Sequence, residues 1–473
     1  MSFVAVCGFY CENRKNACRA RKGIQSMKKI LMRAGMSPLD NLDAVQVLTR
    51  NTIGNNIGNM LFPYSIMRTL MKEDTQIDTI IPENVPKKEI GMINETYDCF
   101  VLPFANAFRV SFISNLRKTT KLIEQLTIPC IVVGVGMQQK LGGAKENPQL
   151  DEAVTDFMRA VLKKSSMVGV RGEETGKYLK RLGFTPEKDY TVIGCPSMYL
   201  YGKNLPKVRL TDLTPQSALS FNSKISLPQK FHDFIYRETQ TYKHYHYVPQ
   251  VIEEIYRMYA GMPYPEGFVK EPPRYFPMKS SNEIYRKKKG VSFINVPSWM
   301  EYLKGKDLSV GSRIHGNIAA ILAGTPSFVI VSDKRILELV EYHHIPHITM
   351  DQLTPKTTVD RLYQKADYGQ LYRGHEQRFK HYLDFLQENG LETIYNEDGD
   401  ARVVPFDEKI ASIQFHGPLY SISSLNPHMQ AKRMETFMGY YRDRVKELEK
   451  KNKNKTRRLS GQAITGWLAG AKE

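Results

Sequence analysis

Apolar runs with few polar residues recur along the first part of the chain and predict the buried strands of a parallel sheet. The runs lie at residues 44–49, 77–81, 97–102, 129–135, 167–171 and 190–197. Segments with apolar residues at helical spacing separate them, among them 111–126 and 150–164. This alternation predicts a doubly wound sheet with helices on both faces. Ahead of the first run, residues 27–36 predict a short helix.

The alternation starts again at residue 218, after a polar, proline-containing segment that is typical of a linker. Strand-like runs lie at 218–222, 291–296, 308–310 and 327–331, with helix-like segments at 227–242 and 248–258. We therefore expect an α/β fold with two similar domains. The cleft between two such domains is the expected place for a functional site.

Beyond residue 357 the apolar positions follow helical spacing as far as a polybasic run at 450–458. The expected domains are an N-terminal extension (1–42), a first α/β domain (43–205), a second α/β domain (206–356) and a helical, basic C-terminal extension (357–473).

The 473 residues carry a formal net charge of +18, which favours anionic substrates, polyanions or an anionic membrane surface over neutral partners. The polybasic run and the nearby Trp467 predict either contact with such a membrane or a solvated tail. No apolar run is long enough to span a bilayer, and the first residues do not resemble a secretory signal. We expect a cytoplasmic protein, peripheral to the membrane if the tail binds it, with no nucleic-acid partner.

Cys7, Cys11 and Cys18 are the one group of cysteines close together in the sequence. Their spacing fits no common zinc or iron–sulfur pattern and no histidine is near. The expectation is that no metal binds there.

Residues 309–335 contain the most informative pattern. An apolar run ends in a turn of small residues that presents Arg313 and His315. Gly316 follows, and a helix-forming run extends from Asn317 to Ala323. A cation and a histidine at a helix N-terminus suit an anion, because free N–H groups and the helix dipole favour negative charge there. The alternative is that Arg313 forms a surface salt bridge and His315 packs in the core.

Three further turns lie at the ends of predicted strands in the first domain, where ligands collect in open parallel sheets. The first contains Asn55, Asn56 and Asn59, the second Gly136 and Gln138, and the third Arg171. For the asparagines, a tight turn with an amide as helix cap is an equally good interpretation.

Taken together, these motifs resemble the polysaccharide pyruvyl transferases. The resemblance covers residues 44–350 and is most specific at Gly311, Arg313, His315, Gly324, Pro326 and the pair Asp333-Lys334. Supporting motifs are 54–59, 133–138, 170–179 and 193–197. The chain departs from the family pattern at Asn59 and Cys195, where aspartate is usual.

The resemblance implies a glycosyltransferase-B-like fold, in which two Rossmann-like domains face a cleft. It also implies transfer of a pyruvyl group from phosphoenolpyruvate to two hydroxyls of a carbohydrate acceptor, forming a ketal without a metal or other cofactor. Arg313 and Arg171 would then bind the anionic groups of the donor. His315 would protonate the enol carbon or the leaving phosphate.

Two other functions remain open from the sequence. A nucleotide-sugar glycosyltransferase could share the architecture, although no acidic residue marks a ribose-binding position. A non-catalytic scaffold that binds a polyanion during envelope assembly would also suit the charge, although it would not need both Arg313 and His315.

Overall fold

A computed structural model of the protein describes residues 27–138 and 147–451. The first domain is built on a parallel sheet in the order β2-β1-β3-β4, and a parallel bridge between Val135 and Val170 extends it to the pair β5-β6. The strands are β1 (Lys28–Arg33), β2 (Thr75–Ile80), β3 (Cys99–Pro103), β4 (Cys130–Val133), β5 (Val168–Val170) and β6 (Tyr190–Val192).

Helices cover both faces of this sheet. They are α1 (Ala44–Arg50), α2 (Gly58–Leu70), α3 (Ile90–Thr96), α4 (Ile113–Gln125), α5 (Pro148–Leu162) and α6 (Glu173–Arg181). Ile30 and Met32 of β1 face the cluster that contains α2, whereas Leu31 faces the cluster of α4 and α5. Burial on both faces explains why the strands appear in the sequence as continuous apolar runs.

Two expectations near the start of this domain are wrong. Residues 44–49 form helix α1 rather than a strand, because Asp43 caps the helix and exchanges hydrogen bonds with Gln46 in a capping box. Residues 27–36 contain strand β1 rather than a helix, and β1 pairs with both β2 and β3. The sheet therefore begins inside the segment that was expected to be an extension.

The second domain is a parallel sheet in the order β12-β11-β10-β7-β8. Its strands are β7 (Ala218–Asn222), β8 (His244–Tyr247), β10 (Leu308–Gly311), β11 (Ser327–Val331) and β12 (His347–Thr349). The helices are α7 (Gln229–Thr241), α8 (Ile252–Ala260), α9 (Glu283–Arg286), α10 (Val296–Lys304), α11 (Ile314–Leu322) and α12 (Lys334–Tyr342).

The strand expected at 291–296 is much shorter and lies outside this sheet. β9 (Val291–Ser292) pairs antiparallel with β13 (Leu419–Tyr420), and α10 begins at Val296 because Asn295 caps it. Strand β8 was not expected, since its His-Tyr-His-Tyr sequence contains no aliphatic residue.

The C-terminal extension is helical, as expected, and it joins the domains. Its helices are α13 (Val359–Lys365), α14 (His375–Glu388), α15 (Pro405–Ala411) and α16 (Pro427–Lys451). Helix α14 returns to the first domain, where the rings of Tyr382 and Tyr199 stack with centroids 4.9 Å apart. Phe437 of α16 contacts Tyr256 and Tyr259 of the second domain.

The fold class is confirmed: two Rossmann-like α/β domains face each other in a glycosyltransferase-B-like arrangement. One buried cluster includes α2 from the first domain and α10 and α11 from the second, so the interface contains a shared apolar core. None of the described helices is long and apolar enough to cross a membrane. Residues 452–458 of the polybasic run, and Trp467, lie outside the described residues.

Candidate functional site

The turn that presents Arg313 and His315 is positioned by the end of the neighbouring strand β7. Asn222 Oδ1 accepts a hydrogen bond from the Arg313 backbone N–H at 2.7 Å, and the Ser223 carbonyl accepts one from Arg313 Nε at 2.8 Å. Helix α11 begins at Ile314, earlier than the sequence suggested, so His315 lies in its first turn. The turn is therefore rigid, and the direction of both side chains is fixed by the second sheet.

Arg171 approaches His315 from the first domain. Arg171 Nη2 lies 3.0 Å from His315 Nε2, and both side chains are buried, with Arg171 fully so. Because a guanidinium can only donate, His315 Nε2 accepts, which places the imidazole proton on Nδ1. Burial, followed by the charges of Arg171 and Arg335, lowers the pKa of His315 well below its ordinary value. The imidazole of His315 is therefore neutral.

Phe62 of α2 completes this pair. The Arg171 guanidinium carbon lies 4.8 Å from the centroid of the Phe62 ring, and the ring meets His315 edge-on at 6.4 Å. A cation over an aromatic face is stabilised by the ring quadrupole. The contact therefore helps to hold Arg171 in place.

Several guanidinium N–H groups near this pair have no hydrogen-bond partner among the described residues. The buried nitrogen atoms without a partner are Arg171 Nε, Arg171 Nη1 and Arg335 Nε. Burial of donors without acceptors is unfavourable, so these groups need acceptors that the described residues do not supply. Arg313 lies close enough that the charge of Arg335 contributes to lowering its pKa, after the larger effect of burial. The cluster therefore suits an anion with several oxygen atoms.

Cys195 contacts the Arg171–His315 pair directly. Its Sγ lies 3.6 Å from Arg171 Nη2 and 3.8 Å from His315 Nε2, while its backbone N–H donates to His343 Nε2 at 2.8 Å. A thiol is a much weaker acceptor than the aspartate usual in the family pattern. The departure at Cys195 therefore leaves Arg171 without a carboxylate partner at this position.

Glu338 of α12 joins the second domain to the first at helix α6. Its carboxylate accepts hydrogen bonds from the Thr175 backbone N–H and from Thr175 Oγ1, both at 3.0 Å. Gly172 permits this approach, since a Cβ there would lie 2.6 Å from Glu338 Cβ. Burial raises the pKa of Glu338 to about 7. This carboxylate occupies the N-terminal end of α6, next to the cationic cluster.

Replacing Glu338 with glutamine should make stability less dependent on pH. A carboxyl whose pKa rises from 4.5 to about 7 on folding binds its proton more tightly in the folded state. The free energy of unfolding therefore falls as the pH rises from 4.5 to about 7. Over this range the melting temperature of the variant should fall less than that of the wild type. Thermal unfolding measured from pH 4.5 to 8 checks this, with Glu341→Gln on the exposed side of α12 as the control. If the melting temperatures of the wild type and of Glu338→Gln changed equally with pH, the raised pKa of Glu338 would be contradicted.

Glu254 of α8 is the second buried carboxylate that the sequence did not indicate. It lies 3.8 Å from Arg313 Nη2 and accepts a hydrogen bond from the Tyr247 hydroxyl at 3.1 Å. Burial raises the pKa of Glu254 to about 7, against the opposing effect of Arg313. Of the alternative, only the surface position of Arg313 is wrong, since its side chain is 12% exposed. The salt bridge is present, with Glu254, and His315 is buried as that alternative expected.

Gly316 and Asn317 are buried behind the turn that presents Arg313 and His315. Asn317 is fully buried, accepts a hydrogen bond from Ser309 Oγ at 2.9 Å and donates to the Arg313 carbonyl at 3.2 Å. Gly316 has no space for a side chain because the Gln250 amide lies against it. The structure does not bring either residue to an open cavity.

The predicted asparagines shape the turn before α2, where Asn59 Nδ2 donates to the carbonyls of Ile53 and Gly54, and two of them also line a cavity. Asn55 and Asn59 line a cavity of about 660 Å³ in the first domain. Asn56 accepts a hydrogen bond from the Gly58 N–H at 2.7 Å, as expected for a residue that shapes a turn before a helix.

The remaining predicted positions lie near Arg171. Gly136 packs so closely that a Cβ there would lie 3.0 Å from Arg171 Cδ. Gln138 is exposed and accepts a hydrogen bond from the Asn106 amide at 3.1 Å.

Among residues 27–138 and 147–451, no group of histidine, cysteine, aspartate and glutamate side chains has the arrangement to hold a metal ion. The cysteines at 7, 11 and 18, where the sequence gave no reason to expect a metal, lie outside the described residues.

Comparison with solved structures finds distant similarity. An uncharacterised protein from Klebsiella pneumoniae has 11% identity, covers 68% of this chain and 93% of its own, and gives a TM-score of 0.36. A UDP-GlcNAc 2-epimerase from Methanocaldococcus jannaschii has 10% identity, 76% and 99% coverage and a TM-score of 0.37. A sucrose-phosphate synthase from Thermosynechococcus elongatus has 11% identity, 77% and 97% coverage and a TM-score of 0.38.

A search of curated proteins finds no significant match. The family model for polysaccharide pyruvyl transferase matches residues 56–334. That range runs from the asparagine turn before α2 to the first residue of α12, and it contains Arg171, Arg313 and His315. It covers more than half of the chain. The chain therefore belongs to the polysaccharide pyruvyl transferase family.

Proposed function

We propose that this protein transfers a pyruvyl group from phosphoenolpyruvate to two hydroxyls of a sugar in a surface polysaccharide or its precursor. The product is a cyclic pyruvate ketal. The observation that carries the proposal is the buried pair of Arg171 and His315, contributed by opposite domains and surrounded by unpartnered guanidinium N–H groups. Family membership agrees with a transferase that acts in polysaccharide synthesis.

Phosphoenolpyruvate suits this cluster because it carries a carboxylate and a phosphate. Arg171 offers two unpartnered N–H positions and Arg335 offers one, while Arg313 extends the positive charge along the second domain. Guanidinium groups bind carboxylate and phosphate with paired, charge-assisted hydrogen bonds. The donor would therefore lie between the domains, against His315.

The proposed reaction uses His315 first as a base, because its lowered pKa keeps it neutral. One acceptor hydroxyl replaces Arg171 as the hydrogen-bond donor to Nε2, which takes its proton, and the hydroxyl oxygen bonds to the central carbon of the donor. The same proton is delivered to the methylene carbon, which becomes a methyl group. A second hydroxyl then displaces phosphate from the central carbon and closes the ketal, and its proton leaves with the phosphate. Each ketal formed therefore releases one phosphate.

Calorimetry tests the donor assignment. We expect phosphoenolpyruvate to bind the wild-type protein, and Arg335→Gln to bind it about tenfold more weakly because one charge-assisted contact is lost. Arg159→Gln, an exposed change on α5, is the matched control and should bind like the wild type. Binding of a nucleotide-sugar in place of phosphoenolpyruvate would instead indicate a glycosyltransferase. Binding of neither would indicate a scaffold.

A further inference from the structure

A cavity of about 660 Å³ lies in the first domain where strands β1 and β3 end. The segment 50–55 and the first turns of α2 form one wall, and the start of α4 forms another. Phosphoenolpyruvate is far too small to fill this volume, whereas pockets of this size hold ligands as large as a sugar or an oligosaccharide.

The residues around the cavity carry an excess of positive charge. Four cations line it against a single carboxylate, that of Glu83. The cations are Arg33, Arg50, Arg109 and Lys118. Arg33 lies 3.4 Å from Glu83 and forms its ion pair. The other three cations have no carboxylate partner in the part of the chain that the structure describes.

Polar groups suited to a sugar lie among these cations. Six asparagines line the cavity: Asn51, Asn55, Asn59, Asn84, Asn106 and Asn115. The first three also exchange hydrogen bonds within the turn before α2. Asn106 Oδ1 and Arg33 Nε are buried and have no hydrogen-bond partner among the described residues. An amide offers both donors and an acceptor, which is what a row of hydroxyls requires.

The cavity adjoins the reaction site through Phe62 and Ala105. Phe62 lines the cavity and also contacts both Arg171 and His315. Ala105 lines it too, and its carbonyl oxygen lies 3.3 Å from the position of a Cβ on Gly136, which packs against Arg171. The cavity therefore lies next to the pair, separated from it by no more than the Phe62 side chain and the backbone at Ala105 and Gly136.

We infer that this cavity binds the acceptor, and that the acceptor is a saccharide bearing an anionic group such as phosphate or carboxylate. The inference rests on the proposed function, since it names the second substrate of the same reaction. Arg50, Arg109 and Lys118 would contact the anionic group, and the asparagines would contact sugar hydroxyls. A neutral acceptor would leave Arg109, which is half-buried, without a counter-charge, and that is unfavourable for a cation partly removed from water.

The test uses two cations at the edge of the cavity. Arg50 and Lys118 are exposed and form no ion pair in the described structure, so Arg50→Gln/Lys118→Gln should fold normally. The matched control is Lys121→Gln/Arg159→Gln, which removes the same charge from positions on α4 and α5 outside the cavity. The ligands are the 1-phosphates of glucose, galactose, mannose and N-acetylmannosamine, each paired with its methyl glycoside.

Binding is measured by calorimetry without phosphoenolpyruvate. We expect at least one sugar phosphate to bind more tightly than its methyl glycoside. The cavity variant should weaken that binding by about fivefold or more, and the control should not. The inference is overturned if no sugar phosphate binds, if the methyl glycosides bind equally well, or if the cavity variant binds like the wild type. Because no turnover is measured, such a failure is distinct from a failure of pyruvyl transfer.

Discussion

Replacing His315 with glutamine should abolish pyruvyl transfer, with kcat about 100- to 10,000-fold lower than in the wild type. Glutamine can still accept the hydrogen bond from Arg171, which lies 3.0 Å from His315 Nε2, so the packing of the site is preserved. It has no group that takes and returns a proton near neutral pH. The expected variant is therefore folded and inactive, as measured by phosphate release and by circular dichroism on heating.

His381→Gln is the matched control for that change. His381 on α14 also uses Nε2 in a hydrogen bond, to Thr191 Oγ1 at 2.8 Å, but it lies away from the pair. We expect this variant to keep wild-type kcat. Loss of a general base lowers kcat by much more than about threefold. If kcat of the His315 variant stayed within about threefold of the control, the assignment of His315 as the proton-transfer group would be wrong.

Replacing Arg171 with lysine should lower kcat/KM for phosphoenolpyruvate by about 100- to 1000-fold. Lysine keeps the positive charge, but a single ammonium cannot contact His315 and also present two further donors to the substrate. Arg171 is fully buried and has Nε and Nη1 without partners in the described structure. Steady-state kinetics with varied phosphoenolpyruvate measure the loss.

Arg68→Lys separates this effect from a loss of packing. Arg68 is also a buried arginine, but its guanidinium donates to Asp407 at 2.8–3.2 Å and joins α2 to α15. Its replacement should lower the melting temperature and leave kcat/KM nearly unchanged. An Arg171→Lys variant that resembled Arg68→Lys in both measurements would contradict a role for Arg171 in substrate binding.

The sequence predicted most of the sheet because its strands are buried on both faces. Strand β11, for example, appears as the continuous apolar run Ser327–Val331. It failed at α1, where Ala44, Val45, Val47 and Leu48 look like a strand unless the capping box of Asp43 and Gln46 is recognised. The prediction also failed at β1, because its two lysines are not typical of a central strand that pairs on both sides.

The sequence predicted the site residues that belong to short motifs. Arg313 and His315 follow one strand, Arg171 ends another, and the structure places Arg171 and His315 3.0 Å apart. Their chemical roles remain predictions. Glu338 and Glu254 were missed because each lies in an amphipathic helix, where a carboxylate normally faces solvent. Only the contact between domains, at Thr175, shows that Glu338 is buried against the site.

Product analysis by mass spectrometry detects pyruvyl transfer itself. The protein is incubated with isotopically labelled phosphoenolpyruvate and a panel of neutral and anionic glycans, and the products and free phosphate are measured together. We expect the label to appear on a glycan as a pyruvate ketal, with one phosphate released per ketal and no transfer by His315→Gln. Absence of label from every glycan, or addition of a sugar from a nucleotide-sugar instead, would contradict the proposed pyruvyl transfer.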